Sequence, residues 1–169
     1  KWEKIIKREK EIYKREDDVR SEFERDYTRL LHCNAYRRLK HKTQVFFSPE
    51  NDHICTRIEH VMHVESVSYT IAKYLGLNTE LTKAIATGHD IGHSPFGHAG
   101  ECIDLEEYKL PNQYAPYTWE GCVVKVADKI SYLGRDIEDA ITLGILDEKL
   151  EELYKILQSK EVINNTVII

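Results

Sequence analysis

From Thr56 to Leu75 the apolar residues Ile58, Val61, Val64, Val67, Ile71 and Leu75 recur at threes and fours, the spacing that lines one face of a helix. Gly76 follows directly and is the expected stop, because glycine best tolerates the left-handed turn that ends helices. The same periodicity predicts helices over about 25–40 and 80–89, with a loop from 42 to 52 broken by Pro49. Residues 2–18 carry only Ile5, Ile6, Ile12 and Tyr13 as an apolar stripe, so a charged, partly exposed helix is expected there. Another long helix is expected from about 119 to 144. At about 100° per residue, Val123, Val126, Ile130, Leu133, Ile137, Ala140 and Ile141 fall opposite Asp128 on that helix, while Lys125, Lys129, Tyr132 and Asp136 share its half. No alternating strand pattern or Asn-Gly hairpin signal interrupts these segments, so the fold class is all-α.

Composition narrows the class further. At 169 residues, with 41% apolar and 31% charged side chains, the chain suits one compact domain and excludes a disordered or collagen-like polypeptide. It holds no apolar run of membrane-spanning length, and Lys1-Trp2-Glu3-Lys4 lacks the pattern of a secretory leader. A cytoplasmic location without membrane association is the expectation. Cysteines 33, 55, 102 and 122 are too scattered for a zinc or redox pair, which favours reduced thiols. The net charge of −5 argues against a general nucleic-acid binder, but it hides an asymmetry. Residues 1–60 hold 15 basic and 12 acidic side chains, against 9 and 17 in residues 61–169, and the densest basic run is Arg37-Arg38-Leu39-Lys40-His41-Lys42.

The search for chemistry begins at Gly88-His89-Asp90-Ile91-Gly92-His93-Ser94-Pro95-Phe96-Gly97-His98-Ala99-Gly100-Glu101, where ligand-capable side chains and flexible backbone are crowded together. Divalent ions that serve phosphate chemistry favour imidazole nitrogen and carboxylate oxygen on rigid elements. His60 on the 56–75 helix, the adjacent His89 and Asp90, and Asp128 on the long helix offer such donors from three helices. A buried histidine capped by a neighbouring carboxylate, or an amphipathic helix with a wet face, accounts for the same residues without an ion.

Arg57-Ile58-Glu59-His60, the glycine- and histidine-rich segment above, and Ala127-Asp128-Lys129-Ile130-Ser131-Tyr132 together resemble the HD-domain phosphohydrolases. Arg25-Asp26-Tyr27-Thr28-Arg29-Leu30-Leu31-His32 and Ala35-Tyr36-Arg37-Arg38-Leu39-Lys40-His41-Lys42-Thr43-Gln44-Val45-Phe46 resemble one subgroup, the deoxynucleoside triphosphate triphosphohydrolases or dGTPases. The resemblance implies an HD-domain helical bundle around a divalent metal. It covers a catalytic core over residues 25–146, with a charged N-terminal helix over 1–24 and a C-terminal helical extension over 147–169. Carried over by motif, it implies His60, His89, Asp90 and Asp128 as ligands of a manganese, magnesium, iron, nickel or zinc ion. It further implies a catalytic His98–Glu101 dyad, His93 beside the phosphates, Arg57, Arg38 and Lys129 as phosphate contacts, and Gln44, Tyr132 and Asp136 around the deoxyribose and its 3′-hydroxyl.

The implied reaction is hydrolysis of a dNTP at the α-phosphorus to a deoxynucleoside and inorganic tripolyphosphate, with His98 protonating the departing 5′-oxygen. The resemblance also implies a homo-oligomer and, as in some relatives, an allosteric nucleotide. One departure stands out: only 27 residues separate Glu101 from Asp128, whereas the resembled enzymes place a longer, histidine-containing segment there. Either the chain is naturally shortened there or residues between about 103 and 117 are lacking; the expectation is that they are lacking and that the protein continues past 169. Two other readings compete. In one, the metal site serves a nucleoside monophosphate, cyclic nucleotide or guanosine alarmone; in the other, a regulatory module binds nucleotide or single-stranded nucleic acid without turnover.

Overall fold

A computed structural model describes residue 12 and residues 16–42, 53–92 and 116–146. Within them the chain forms α1 (Glu22–His32), α2 (Asn34–Arg38), a 3-10 turn (Leu39–His41), α3 (Arg57–Leu75), α4 (Thr79–Gly88) and α5 (Trp119–Thr142), and no strand. None of these helices is long and apolar enough to cross a membrane.

The helix boundaries follow from local caps. Ser21 and Glu24 form a reciprocal capping box, Ser21 Oγ accepting the Glu24 N–H and Glu24 Oε2 accepting the Ser21 N–H, so α1 starts ahead of the expected position 25. The single helix expected over 25–40 is broken at Cys33, whose extended backbone ends α1 while its Sγ accepts the Tyr36 N–H and starts α2. Most of the helix expected over 2–18 lies outside the described residues; Glu16 and Asp17 form a turn. The Glu59 carboxylate accepts both the N–H and the hydroxyl of Thr56, which sets the start of α3. Gly76 closes that helix at φ 68°, in the left-handed region as expected. Asn78 then caps α4 by accepting the N–H groups of Glu80 and Leu81.

Two apolar clusters hold these elements. Val64 and Val67 of α3, Ala86 of α4, and Val124 and Ala127 of α5 form the larger, with Ile71 and Ile85 packed against it. Tyr36, Leu39 and Val61 form the smaller, joined by Leu31, Ile58 and Ile91, and this seats the α1–α2 corner on α3. A buried Glu120 carboxylate accepts the Asn78 N–H, tying the start of α5 to the cap of α4.

The buried stripe of α5 is rotated from its expected position. Glu120, Val123, Val124, Ala127, Ser131, Asp139 and Ala140 are buried, whereas Val126 is 54% exposed. Val126 instead lines an open apolar groove of about 520 Å³ with Ile71, Leu75, Leu77, Trp119, Cys122 and Val123. At ~100° per residue that stripe centres roughly 70° from Asp128 rather than opposite it. Asp128 therefore stands at the edge of the helix contact, where a wet face meets the bundle.

Candidate metal centre

His60 lies in the first turns of α3 and is only 4% exposed, with Val61 and Val64 of the core beside it on the helix. His89 follows Gly88, the last residue of α4. Its Nδ1 lies 2.6 Å from the carbonyl oxygen of Ala86, a bond that requires a proton on Nδ1 and turns Nε2 outward. Asp128 occupies the middle of α5 with its side chain 36% exposed.

These three side chains meet. Asp128 Oδ1 is 2.9 Å from His60 Nε2 and 3.7 Å from His89 Nε2, and the imidazole rings face edge to plane at 5.6 Å between centroids. One ligand atom from each residue lies within 4.8 Å of the other two. Burial works to raise the Asp128 carboxyl, but hydrogen bonds and charge from His60 and His89 outweigh it and hold the group well below the usual carboxylate range. The His89 imidazole is shifted the other way: burial lowers it, while Asp128, the Ala86 carbonyl and Asp90 together raise it. The site thus favours positive charge between two imidazoles and a carboxylate. That donor set suits a divalent cation, which can take the place of an imidazole proton.

A largely buried ion pair adjoins this group. Arg57 Nη1 contacts both oxygens of Asp90, at 3.0 and 2.8 Å, with both side chains largely buried. Asp90 is consequently engaged by Arg57 and is not among the three residues that converge. Lys42 is shifted downward by burial and by the nearby positive charges of Arg38 and Arg57, while Asp90 acts in the opposite direction. Arg38 and Lys42 thus share a cationic neighbourhood with Arg57, which is paired to Asp90, the residue after His89.

On α5, Lys129 and Tyr132 are exposed, one residue and one turn beyond Asp128. Asp136 has a buried Oδ1 with no hydrogen-bond partner among the described residues. Burial raises its carboxyl, and the charges of His60 and Arg57 counteract that, placing it within electrostatic reach of the centre. Gln44, His93, His98 and Glu101 lie outside the described residues. Two features escape sequence reading. The Ala86 carbonyl that orients His89 is a backbone group and leaves no trace in residue identity. Asp139, whose Oδ2 accepts the Cys55 N–H at 3.1 Å, did leave one: it falls three turns beyond Asp128 on the same stripe of α5.

Comparison with known proteins agrees with this arrangement. Residues 57–114 match the HD domain, a family that binds divalent metals. A "deoxyguanosinetriphosphate triphosphohydrolase-like protein" of Caldanaerobacter subterraneus is 40% identical over 173 residues, covering 82% of this chain and 50% of the relative. Proteins with the same description from Ruegeria and Bartonella tribocorum are 52% and 49% identical, over 83% and 85% of this chain and 35% and 34% of their own lengths. The chain thus spans about half, or less, of the curated relatives it matches.

Proposed function

Since this chain belongs to the HD-domain family, we propose that it hydrolyses deoxynucleoside triphosphates to a deoxynucleoside and inorganic tripolyphosphate, using a divalent metal at His60, His89 and Asp128. The observation that carries the proposal is the meeting of these residues, from three separate helical segments, next to the Arg57–Asp90 ion pair. The descriptions of its relatives as deoxyguanosinetriphosphate triphosphohydrolase-like support the choice of substrate.

A divalent cation, when bound, supplies Lewis-acid charge that offsets negative charge developing on phosphate oxygens and makes water a stronger nucleophile. The chain's own residues supply the rest. His89 presents Nε2 because its Nδ1–H is committed to Ala86. Asp90 serves as the fourth donor and Arg57 as a phosphate contact, each steadying the other through their ion pair. Arg38, Lys42 and Lys129 concentrate positive charge for a substrate bearing about four negative charges, which a chain of net charge −5 must gather locally. Asp136, with an unpartnered oxygen, accepts the 3′-hydroxyl, and Gln44 and Tyr132 close around the sugar. His98, oriented by Glu101, protonates the departing 5′-oxygen, with His93 beside the phosphates.

The decisive experiment incubates the full chain with each dNTP and with magnesium, manganese or iron, then identifies the phosphate product by phosphorus NMR. Intact tripolyphosphate is expected. Orthophosphate or pyrophosphate would assign a different bond, and binding without turnover would favour a regulatory module. His89→Ala and Asp128→Ala should each abolish turnover.

A further inference from the structure

Asp139 is a second buried carboxylate on α5, 3% exposed and outside the metal-binding group. Its Oδ2 accepts the backbone N–H of Cys55, the residue just ahead of the Thr56 cap of α3. Eleven residues separate Asp128 from Asp139, so at ~100° per residue the two leave α5 within about 20° of one another. Helices α3 and α5 run antiparallel: Cys55 meets Asp139, His60 meets Asp128, and farther along Ile71 and Leu75 share a groove with Trp119, Cys122 and Val123. On one side of the His60–Asp128 contact, Val64 and Val67 of α3 pack with Val124 and Ala127 of α5; on the other side, toward the start of α3, the Cys55–Asp139 bond joins the two helices. The Arg57 N–H, donated to the Lys42 carbonyl at 2.8 Å, steadies the same helix start from the opposite chain segment.

We infer that Asp139 is a positioning residue for the metal centre: by accepting the Cys55 N–H it fixes where α3 begins against α5, and so where the His60 imidazole stands relative to Asp128. This rests on reading His60, His89 and Asp128 as metal ligands. Only the acceptor oxygen enters the geometry; the charge does not. Burial in fact raises the Asp139 carboxyl, the Cys55 N–H and Arg135 offset this in part, and Glu138 and Glu59 add to it. The ionised group is therefore a cost to the fold, and a neutral acceptor of the same shape should serve. Loss of a group bonded directly to a metal ligand weakens metal affinity about 10–100-fold; the Cys55–Asp139 bond acts one step further out, through the start of α3. The competing explanation is that Asp139 merely satisfies an orphan N–H at a helix start.

Cobalt(II) added to the full chain reports both affinity and coordination through its visible absorption bands. Asp139→Asn keeps the acceptor and should bind cobalt within about threefold of wild type with unchanged bands; Asp139→Ala should bind at least about tenfold more weakly with shifted bands. Wild-type affinity and bands in Asp139→Ala, whatever its melting temperature, would show an ordinary helix cap and overturn the inference. So would an Asp139→Asn variant as weak as Asp139→Ala. Should Asp139→Ala fail to fold, hydrogen exchange of the wild-type Cys55 amide decides the matter, because coupling is reciprocal. Cobalt should slow that amide more than the amide of Ala84 in α4, and equal slowing overturns the inference. His89→Ala is the separate control: if it binds cobalt as wild type does, the metal reading itself fails, independently of Asp139.

Discussion

Arg57 and Asp90 show how a single ion pair beside the site bears on stability. Their ion pair is largely buried, and removing one partner takes from the other a close opposite charge in a poorly hydrated place. Arg57→Ala is expected to cost about 3 kcal/mol in chemical denaturation. The Arg57→Ala/Asp90→Ala double variant should cost less than the two single changes together, with a coupling of about 1–3 kcal/mol. Strict additivity would mean that the two side chains act independently. Asp139 allows a pH test at the same scale. Its folded carboxyl is raised above the ordinary value of 3.8, so it favours the fold when protonated, below that value, and this contribution is lost as pH rises through the folded value. Asp139→Asn lacks the titration. Its melting temperature relative to wild type should climb as pH rises from the ordinary value of 3.8 through the raised folded value, and a flat difference would contradict the shift.

At the scale of helices, caps decide where elements begin, and one cap depends on a missing side chain. A Cβ on Gly121 would come 2.8 Å from Pro116 Cβ, while the Gly121 N–H is held by Thr118 Oγ1. Gly121→Ala should therefore shift the start of α5 and cost about 1–3 kcal/mol, against the gain that alanine normally brings to a helix interior. Thermal melts distinguish the two signs. Several helix limits were readable from residue order: the apolar spacing of α3 and Gly76 after it gave that helix, because both signals are local. The break at Cys33 was not, since it rests on an extended residue whose sulfur caps the next helix, a use of cysteine that composition does not advertise. The face of α5 was misjudged for a physical reason. Counting apolar residues ignored Glu120 and Ser131, polar groups that are buried, and included Val126, which the neighbouring helices leave open. Tertiary contact, rather than amphipathic pattern, selected the stripe.

Across the whole molecule, the donors His60, His89 and Asp128 were legible as residue types, but their meeting depends on how α3, α4 and α5 pack around Val64, Val67, Ala86, Val124 and Ala127. Because each donor comes from a different helix or helix end, an ion bound to all three bridges the bundle and is absent from the unfolded chain. Binding must then add to stability by mass action, about 2.7 kcal/mol at a free ion concentration of one hundred times Kd. Manganese or cobalt should raise the melting temperature of wild-type protein, and a chelator should return it to the metal-free value. His89→Ala should lose most of this rise. Its metal-free melting temperature should change little by comparison, because the His89 side chain sits at the end of α4 outside both apolar clusters. A metal-induced rise that survives His89→Ala would place the stabilising ion elsewhere on the molecule, and loss of the metal-free fold in that variant would make His89 a structural residue first.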